Sequence, residues 1–220
     1  MWKKKPCTFL TGIDSNGYKE VLDFGLYPQE SSGAYREMLL SLRKRGLEQV
    51  LLFVSDGLIG LPEVVTDVFP KAKHQSCWTH LIRNVLLHVR SRDKKEVAQD
   101  LKHVYHAHEV ERGLEELQTF LDKWGSRYPK VRTIFKRKDN LFSFMAFPEQ
   151  IRSSLYTNNL AESVNKSLKR VTKVKEQFPK EDALERCICS HFLSYNAKAE
   201  SRRQQGFSGM HYELEEMFDA

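Results

Sequence analysis

Apolar and polar residues alternate first. Residues 7–13, Cys-Thr-Phe-Leu-Thr-Gly-Ile, and 19–26, Lys-Glu-Val-Leu-Asp-Phe-Gly-Leu, read as two β-strands, and Asp14-Ser-Asn-Gly17 between them supplies the Asn-Gly pair of a tight hairpin. The spacing then becomes helical over residues 34–45, with Met38, Leu39 and Leu42 on one side and Gly46 as the stop. Residues 49–54, Gln-Val-Leu-Leu-Phe-Val, form a continuous apolar run that predicts a strand covered on both faces. The run ends at Ser55-Asp56-Gly57, which leaves Asp56 at the strand's carboxyl end. A short helix over 61–69 halts at Pro70, a brief strand follows at 73–76, and a helix is predicted over 78–89.

From residue 92 to about 128 the pattern is helical and dense in charge, without a strand signal. Residues 142–147 are aromatic-rich and fit either an extended segment or a loop packed on the core. Next comes an amphipathic helix containing Glu162. Leu160, Val164, Leu168 and Val171 share its apolar side, and Glu162, Lys166, Lys169 and Lys173 line the other. Phe178-Pro179 breaks it, and a final helix aligns Leu184, Cys187, Ile188, His191, Phe192 and Tyr195 before a polar tail. The expected organisation is an α/β core in two parts, 1–91 and 151–220, interrupted by an all-helical insertion at 92–150.

Charge sharpens the picture around Glu162. The chain of 220 residues has a formal net charge of +6, and residues 152–175 hold six Lys or Arg against one Glu. A lone acid on a basic face suits phosphodiester chemistry, in which a carboxylate holds a divalent ion and cations hold phosphates. From this segment alone the simpler reading is an i,i+4 surface pair, Glu162 with Lys166. A solvated helix face likewise accounts for Lys166, Lys169, Arg170 and Lys173.

Four scattered cysteines, Cys7, Cys77, Cys187 and Cys189, do not make a disulfide scaffold in a chain of this length, which fits a reducing cytoplasm. The charged start, Met-Trp-Lys-Lys-Lys-Pro, resembles a signal-peptide n-region, but the apolar run after it ends at Asp14 with no room for a cleavage site, so a signal peptide is not expected. No stretch is long and apolar enough to cross a bilayer, so no membrane partner is expected.

Asp56 and Glu162 lie 106 residues apart, one at a strand end and one on a later helix. Carboxylates at strand carboxyl ends sit where α/β sheets bind ligands, and converging carboxylates suit Mg²⁺. Ser-Asp-Gly is also a common turn. Cys77-x-x-His80 suggests zinc, yet no second pair has the spacing of a zinc finger, and Cys187-x-Cys189 falls on a helical face expected to be buried. His103, His106 and His108 lie in the charged insertion and are expected to be solvated.

Several segments together carry a resemblance. Leu52-Phe-Val-Ser-Asp-Gly-Leu-Ile-Gly-Leu-Pro-Glu63, Phe69-Pro, Gln75-Ser-Cys-Trp-Thr-His-Leu-Ile-Arg-Asn84, Tyr156-Thr-Asn-Asn-Leu-Ala-Glu-Ser-Val-Asn165 and Phe178-Pro occur in that order. Across nearly the whole chain this is similar to the Mutator-type transposases of bacterial insertion sequences. The resemblance implies a ribonuclease-H-like domain with a DDE acid triad and a helical insertion before the last acid. Asp56 is similar to the family's second acid and Glu162 to its third, each a catalytic residue and metal ligand. Two Mg²⁺ ions, or Mn²⁺, are implied for an intact relative. Lys166, Lys169, Arg170 and Lys173 are the implied DNA contacts, and Cys77, His80, Arg83, Asn84 and Asn158 the residues that position the site. The implied partners are DNA, as transposon ends and target, and a second copy in a homo-oligomer. The family's first acid, on the first strand of its core, has no counterpart; Asp14 and Asp23 fall at the wrong places. The expectation is a truncated form, inactive in cleavage by itself, with a non-enzymatic DNA-binding remnant as the alternative.

Overall fold

The computed structural model describes residues 6–136, 140–174 and 178–219. The chain is a mixed α/β protein of two compact units. The first comprises residues 1–51, 58–72 and 159–220, and the second 52–57 and 73–158.

The first unit opens with the hairpin expected from the alternation. Strands β1 (Cys7–Ile13) and β2 (Lys19–Leu26) pair antiparallel. The turn is closed by hydrogen bonds from Gly17 N–H to Asp14 O (2.9 Å) and from Tyr18 N–H to the Asp14 side chain (2.8 Å). Gly17 has φ of 85°, the left-handed conformation that glycine adopts without penalty. Helix α1 (Ser32–Lys44) starts where the Ser31 side chain accepts the Ala34 N–H, and it buries Ala34, Met38, Leu39 and Leu42. It packs on α2 (Leu61–Val68), which buries Leu61, Val64, Val65 and Val68. Arg43 donates to the Val68 carbonyl at 2.8 Å, satisfying one of the last acceptors of α2.

Two long helices cover the hairpin. In α8 (Asn159–Val174) Val164 and Leu168 are buried, and in α9 (Glu181–Ala199) Ile188 and Phe192 meet them over Val21. Phe192 lies 5.6 Å from Phe9 and 5.3 Å from Phe24, ring centre to ring centre. Asn196 clamps the β2 backbone: its Oδ1 accepts the Val21 N–H at 2.9 Å, and its Nδ2 donates to the Val21 carbonyl at 3.1 Å. The polar tail expected after residue 199 is instead folded, ending in α10 (His211–Asp219) with Leu214 buried. Its turns pack on the hairpin: Phe207 is buried, the Gln204 N–H donates to Gly17 O at 2.7 Å, and Arg203 lies over the Tyr18 ring. Two buried apolar residues in a hydrophilic stretch produce too weak a periodicity to reveal this.

The second unit holds a parallel pair, β3 (Leu52–Ser55) and β4 (Lys73–Ser76). The apolar run had predicted a longer strand covered on both faces. Residues 49–51 lie outside the strand, and every β3 residue is only half-buried. Among the described residues β3 pairs with β4 alone, and a two-stranded ribbon cannot cover both of its faces.

Helix α3 (Trp78–Leu87) follows β4, and a helical stretch then runs through α4 (Lys94–Tyr105), α5 (Val110–Trp124) and α6 (Pro129–Lys136). One apolar core joins them, with Trp78, Val85, Val97, Leu101, Val104 and Val131 at its centre. The ambiguous aromatic segment is a short 3₁₀ turn, Ser143–Ala146, burying Phe144 and Met145, and α7 (Glu149–Leu155) comes after it. No helix among the described residues is long and apolar enough to cross a membrane.

Candidate functional site

In a parallel pair both strands end on the same side, so the residues after Ser55 and Ser76 emerge together. Those residues are Asp56 and Cys77. The Cys77 N–H donates to the Ser55 carbonyl at 2.7 Å, which ties the start of α3 to the residue before Asp56. Asp56 is exposed, and Gly57 after it has φ of 98°, so the tight exit from β3 depends on glycine.

Cys77 is the hub of a small polar cluster. Its side chain is 1% exposed. The thiol donates to Asn158 Oδ1 at 3.1 Å, accepts the Asn158 N–H at 3.3 Å, and lies 3.3 Å from His80 Nδ1. The Trp78 N–H donates to the Tyr156 carbonyl at 2.8 Å. Segment 156–158 is thereby fixed to the first turn of α3, and the chain enters α8 at the next residue. Cys77, His80 and Asn158 are thus brought together by the fold, whereas Arg83 and Asn84 stand exposed further along α3.

Two buried polar residues of β4 support this end of the unit, and sequence reasoning missed both. Gln75 is fully buried with all its polar atoms engaged. Its Nε2 donates to the Ser76 and Leu141 carbonyls at 2.7 and 2.8 Å, and its Oε1 accepts the Phe144 N–H at 3.0 Å. His74 Nε2 lies 2.9 Å from Ser55 Oγ, and His74 Nδ1 lies 3.2 Å from Asn140 Nδ2. A polar strand sequence, Lys-His-Gln-Ser, followed by a buried helix was the available signal.

In the first unit, Glu162 occupies the first turn of α8, where a carboxylate meets the favourable end of the helix dipole. It is half-buried, while Lys166, Lys169, Arg170 and Lys173 are exposed. The buried Val164 and Leu168 fix the rotation of the helix, so the basic residues are held away from the core. Ser167 Oγ lies 3.2 Å from His191 Nε2 on α9. Burial, with a smaller contribution from Lys198, holds the His191 imidazole below its ordinary pKa. The two other acids weighed from sequence are engaged locally: Asp14 in the hairpin turn, and Asp23 with the Phe24 N–H (2.8 Å) and Arg45 (3.6 Å).

All four cysteines are free. Cys189 is exposed, which corrects the expectation that Cys187 and Cys189 share a buried face; residues two apart on a helix point about 200° apart. His103, His106 and His108 are exposed. Among the described residues no group of three or more His, Cys, Asp and Glu is arranged to hold a metal ion. Mg²⁺ does not require such a cage, since it is commonly bound by one or two carboxylates completed by waters and substrate phosphates. The carboxylates of Asp56 and Glu162 have the hard-oxygen chemistry that this mode uses.

The sequence profile of the Mutator family of transposases matches residues 2–199, and the chain belongs to that family. It is 37% identical over 216 residues to the transposase for insertion sequence element IS905 of Lactococcus lactis subsp. lactis, covering 98% of this chain and 55% of that protein. It is 36% identical over 185 residues to the transposase for IS1201 of Lactobacillus helveticus, covering 84% of this chain and 50% of the relative. With the transposase for ISRM3 of Rhizobium meliloti the identity is 35% over 190 residues, covering 84% and 46%. The chain spans about half the length of these relatives.

Proposed function

We propose that this chain contributes Asp56 and Glu162 as two carboxylates of a DDE-type, Mg²⁺-dependent reaction that cuts and joins DNA. In this reading the strands belong to a ribonuclease-H-like core, and the exposed basic face of α8 holds the phosphate backbone. The observation that carries the proposal is the joint exit of Asp56 and Cys77 from the parallel strands β3 and β4, at the edge where α/β proteins bind ligands.

Asp56 and Glu162 would hold the metal. When bound, Mg²⁺ supplies charge stabilisation at phosphorus and lowers the pKa of an attacking water or hydroxyl. The protein's own part is orientation. The Cys77 cluster fixes the chain beside Asp56 and the segment entering α8, and Lys166, Lys169, Arg170 and Lys173 supply affinity that falls with salt and carries little sequence information. Asp14 and Asp23 make local contacts, and neither matches the position of the family's first acid, so in this reading neither is the third acid. We therefore expect this polypeptide alone to cleave DNA poorly. The four exposed cations on one helix favour a second reading, a DNA-binding partner without catalysis.

Fluorescence anisotropy with a 20-base-pair duplex, with and without Mg²⁺, separates these readings. The proposed function predicts salt-sensitive binding that Mg²⁺ strengthens, with the Mg²⁺ effect lost in Asp56→Asn and in Glu162→Gln. Binding that ignores Mg²⁺ in every variant favours the non-catalytic reading. Absence of salt-sensitive binding contradicts both.

A further inference from the structure

The corner where the chain passes from α3 into α4 carries more positive charge than its surroundings balance. Residues 90–95, Arg-Ser-Arg-Asp-Lys-Lys, hold four cations against one acid, and the 3₁₀ turn Ser91–Asp93 leads directly into the first turn of α4. Arg90, Arg92, Lys94 and Lys95 are all exposed. Asp93 does not neutralise them. It accepts the hydroxyl of Tyr128 and lies 3.5 Å from Arg127 and 3.7 Å from Arg92, with only 13% of its side chain exposed. The next two acids, Glu96 and Asp100, are both taken by Lys123, at 2.8 and 2.7 Å. Arg90, Lys94 and Lys95 are therefore left without an ion pair among the described residues.

This placement works against the helix. Lys94 and Lys95 stand at the amino-terminal end of α4, where the helix dipole is positive, and the four cations repel one another. Solubility does not call for such a cluster, since mixed charge serves it as well. The far end of the same helical pair has the opposite sign. Helices α4 and α5 run antiparallel, with Asp100 meeting Lys123 and Trp124, and residues 102–116 hold Glu109, Glu111, Glu115 and Glu116 against Lys102 and Arg112. The length of α4, about 18 Å, separates the basic end from the acidic one. A concentrated positive charge that the fold itself does not need, set on a backbone fixed by the buried Tyr128, suits the phosphates of a polyanion.

We propose that the α3–α4 corner is a second contact for the backbone of duplex DNA, in which Arg90, Lys94 and Lys95 neutralise phosphates independently of α8. The inference rests on the DNA reading above and gives the helical stretch a part in it: its basic end adds affinity without sequence preference, and its acidic end is repelled by DNA.

The test measures binding of the whole chain to a duplex of about 20 base pairs by anisotropy as salt is raised, comparing the wild type with a triple variant, Arg90→Gln with Lys94→Gln and Lys95→Gln. Each phosphate contact contributes about 0.9 to the slope of log affinity against log salt, so the triple variant should lower the slope by about 2.7, and a roughly fourfold rise in salt should cost the wild type about fortyfold more affinity than the variant. Lys102→Gln removes an exposed charge at the other end of α4 and should leave the slope unchanged, which separates a local contact from net charge. Because the triple variant relieves repulsion, its melting temperature should equal or exceed that of the wild type, so a change in slope is not a loss of fold. A triple variant with the wild-type slope, or a Lys102→Gln variant that lowers the slope as much per charge, would overturn this inference; a lowered slope in Lys166→Gln with Lys169→Gln would then leave the DNA reading standing. A wild type whose binding does not depend on salt would overturn both.

Discussion

Replacing Gln75 with leucine isolates what a buried polar residue does beneath the candidate site. Leucine is close in size, so the substitution leaves little cavity but removes three hydrogen bonds. The Ser76 and Leu141 carbonyls lose a donor and the Phe144 N–H loses its acceptor, all in the interior of the second unit. A buried polar group left unsatisfied costs about 1–3 kcal/mol. The Leu141 carbonyl keeps the Trp78 Nε1–H donor at 2.9 Å, so two groups are left without a partner. Taking about 1.5 kcal/mol for each of these two, and allowing roughly 1 kcal/mol back for the added apolar burial, the net loss is about 2 kcal/mol. For a chain of this size that corresponds to a fall in melting temperature of about 4–8 °C. Trp78 and Trp124 both lie in the apolar core of this unit, so tryptophan fluorescence during thermal unfolding reports on it directly. A melting temperature within about 2 °C of wild type would refute the argument that Gln75 fastens the 3₁₀ turn to β4.

Three further outcomes follow from the geometry. Gly17→Ala forces a side chain into a backbone with φ of 85° and sets its methyl group 2.5 Å from Phe207 Cβ, so it should lower stability by about 2 kcal/mol in urea unfolding. Burial pushes the Cys7 thiol up to about 12 from an ordinary 9.0, so at pH 8 its thiolate fraction falls about a thousandfold. Thiol labelling of the native protein should therefore modify exposed Cys189 quickly and Cys7 only after unfolding. His191 is held below the ordinary histidine pKa chiefly by burial. The unfolded state therefore binds the proton first, and the contribution of His191 to stability, full above about pH 6.5, is lost as the pH falls through that value toward its folded pKa. Thermal melts between pH 7.5 and 5 should show this loss, and His191→Gln should reduce it.

Much of the fold was legible because its elements obey simple periodicities. The Asn-Gly turn gave the hairpin, Met38, Leu39 and Leu42 gave α1, and the Val164 and Leu168 spacing gave the buried side of α8. What escaped depends on partners distant in sequence. The apolar run at 49–54 suggested a fully covered strand, but coverage is a property of neighbouring strands and not of the run. The segment after residue 199 buries Phe207 and Leu214, and its contacts with the hairpin, such as Gln204 N–H to Gly17 O, span more than 180 residues of chain. For the site, Asp56 was placed by the strand that precedes it, and Cys77, His80 and Asn158 by family resemblance. The hydrogen bonds joining those three residues span 81 positions and leave no local pattern. Gln75 and His74 escaped because polar residues in a short strand ordinarily signal exposure, and only their partners at 140–144 make them interior.

Whether Asp56 and Glu162 are metal-binding carboxylates of a DNA-processing reaction can be read from anomalous diffraction by crystals of the chain with duplex DNA and Mn²⁺. Anomalous density is expected within coordination distance of the Asp56 and Glu162 carboxylates and beside a DNA phosphate. Mn²⁺ bound elsewhere, with both carboxylates free of metal in the DNA complex, would contradict it.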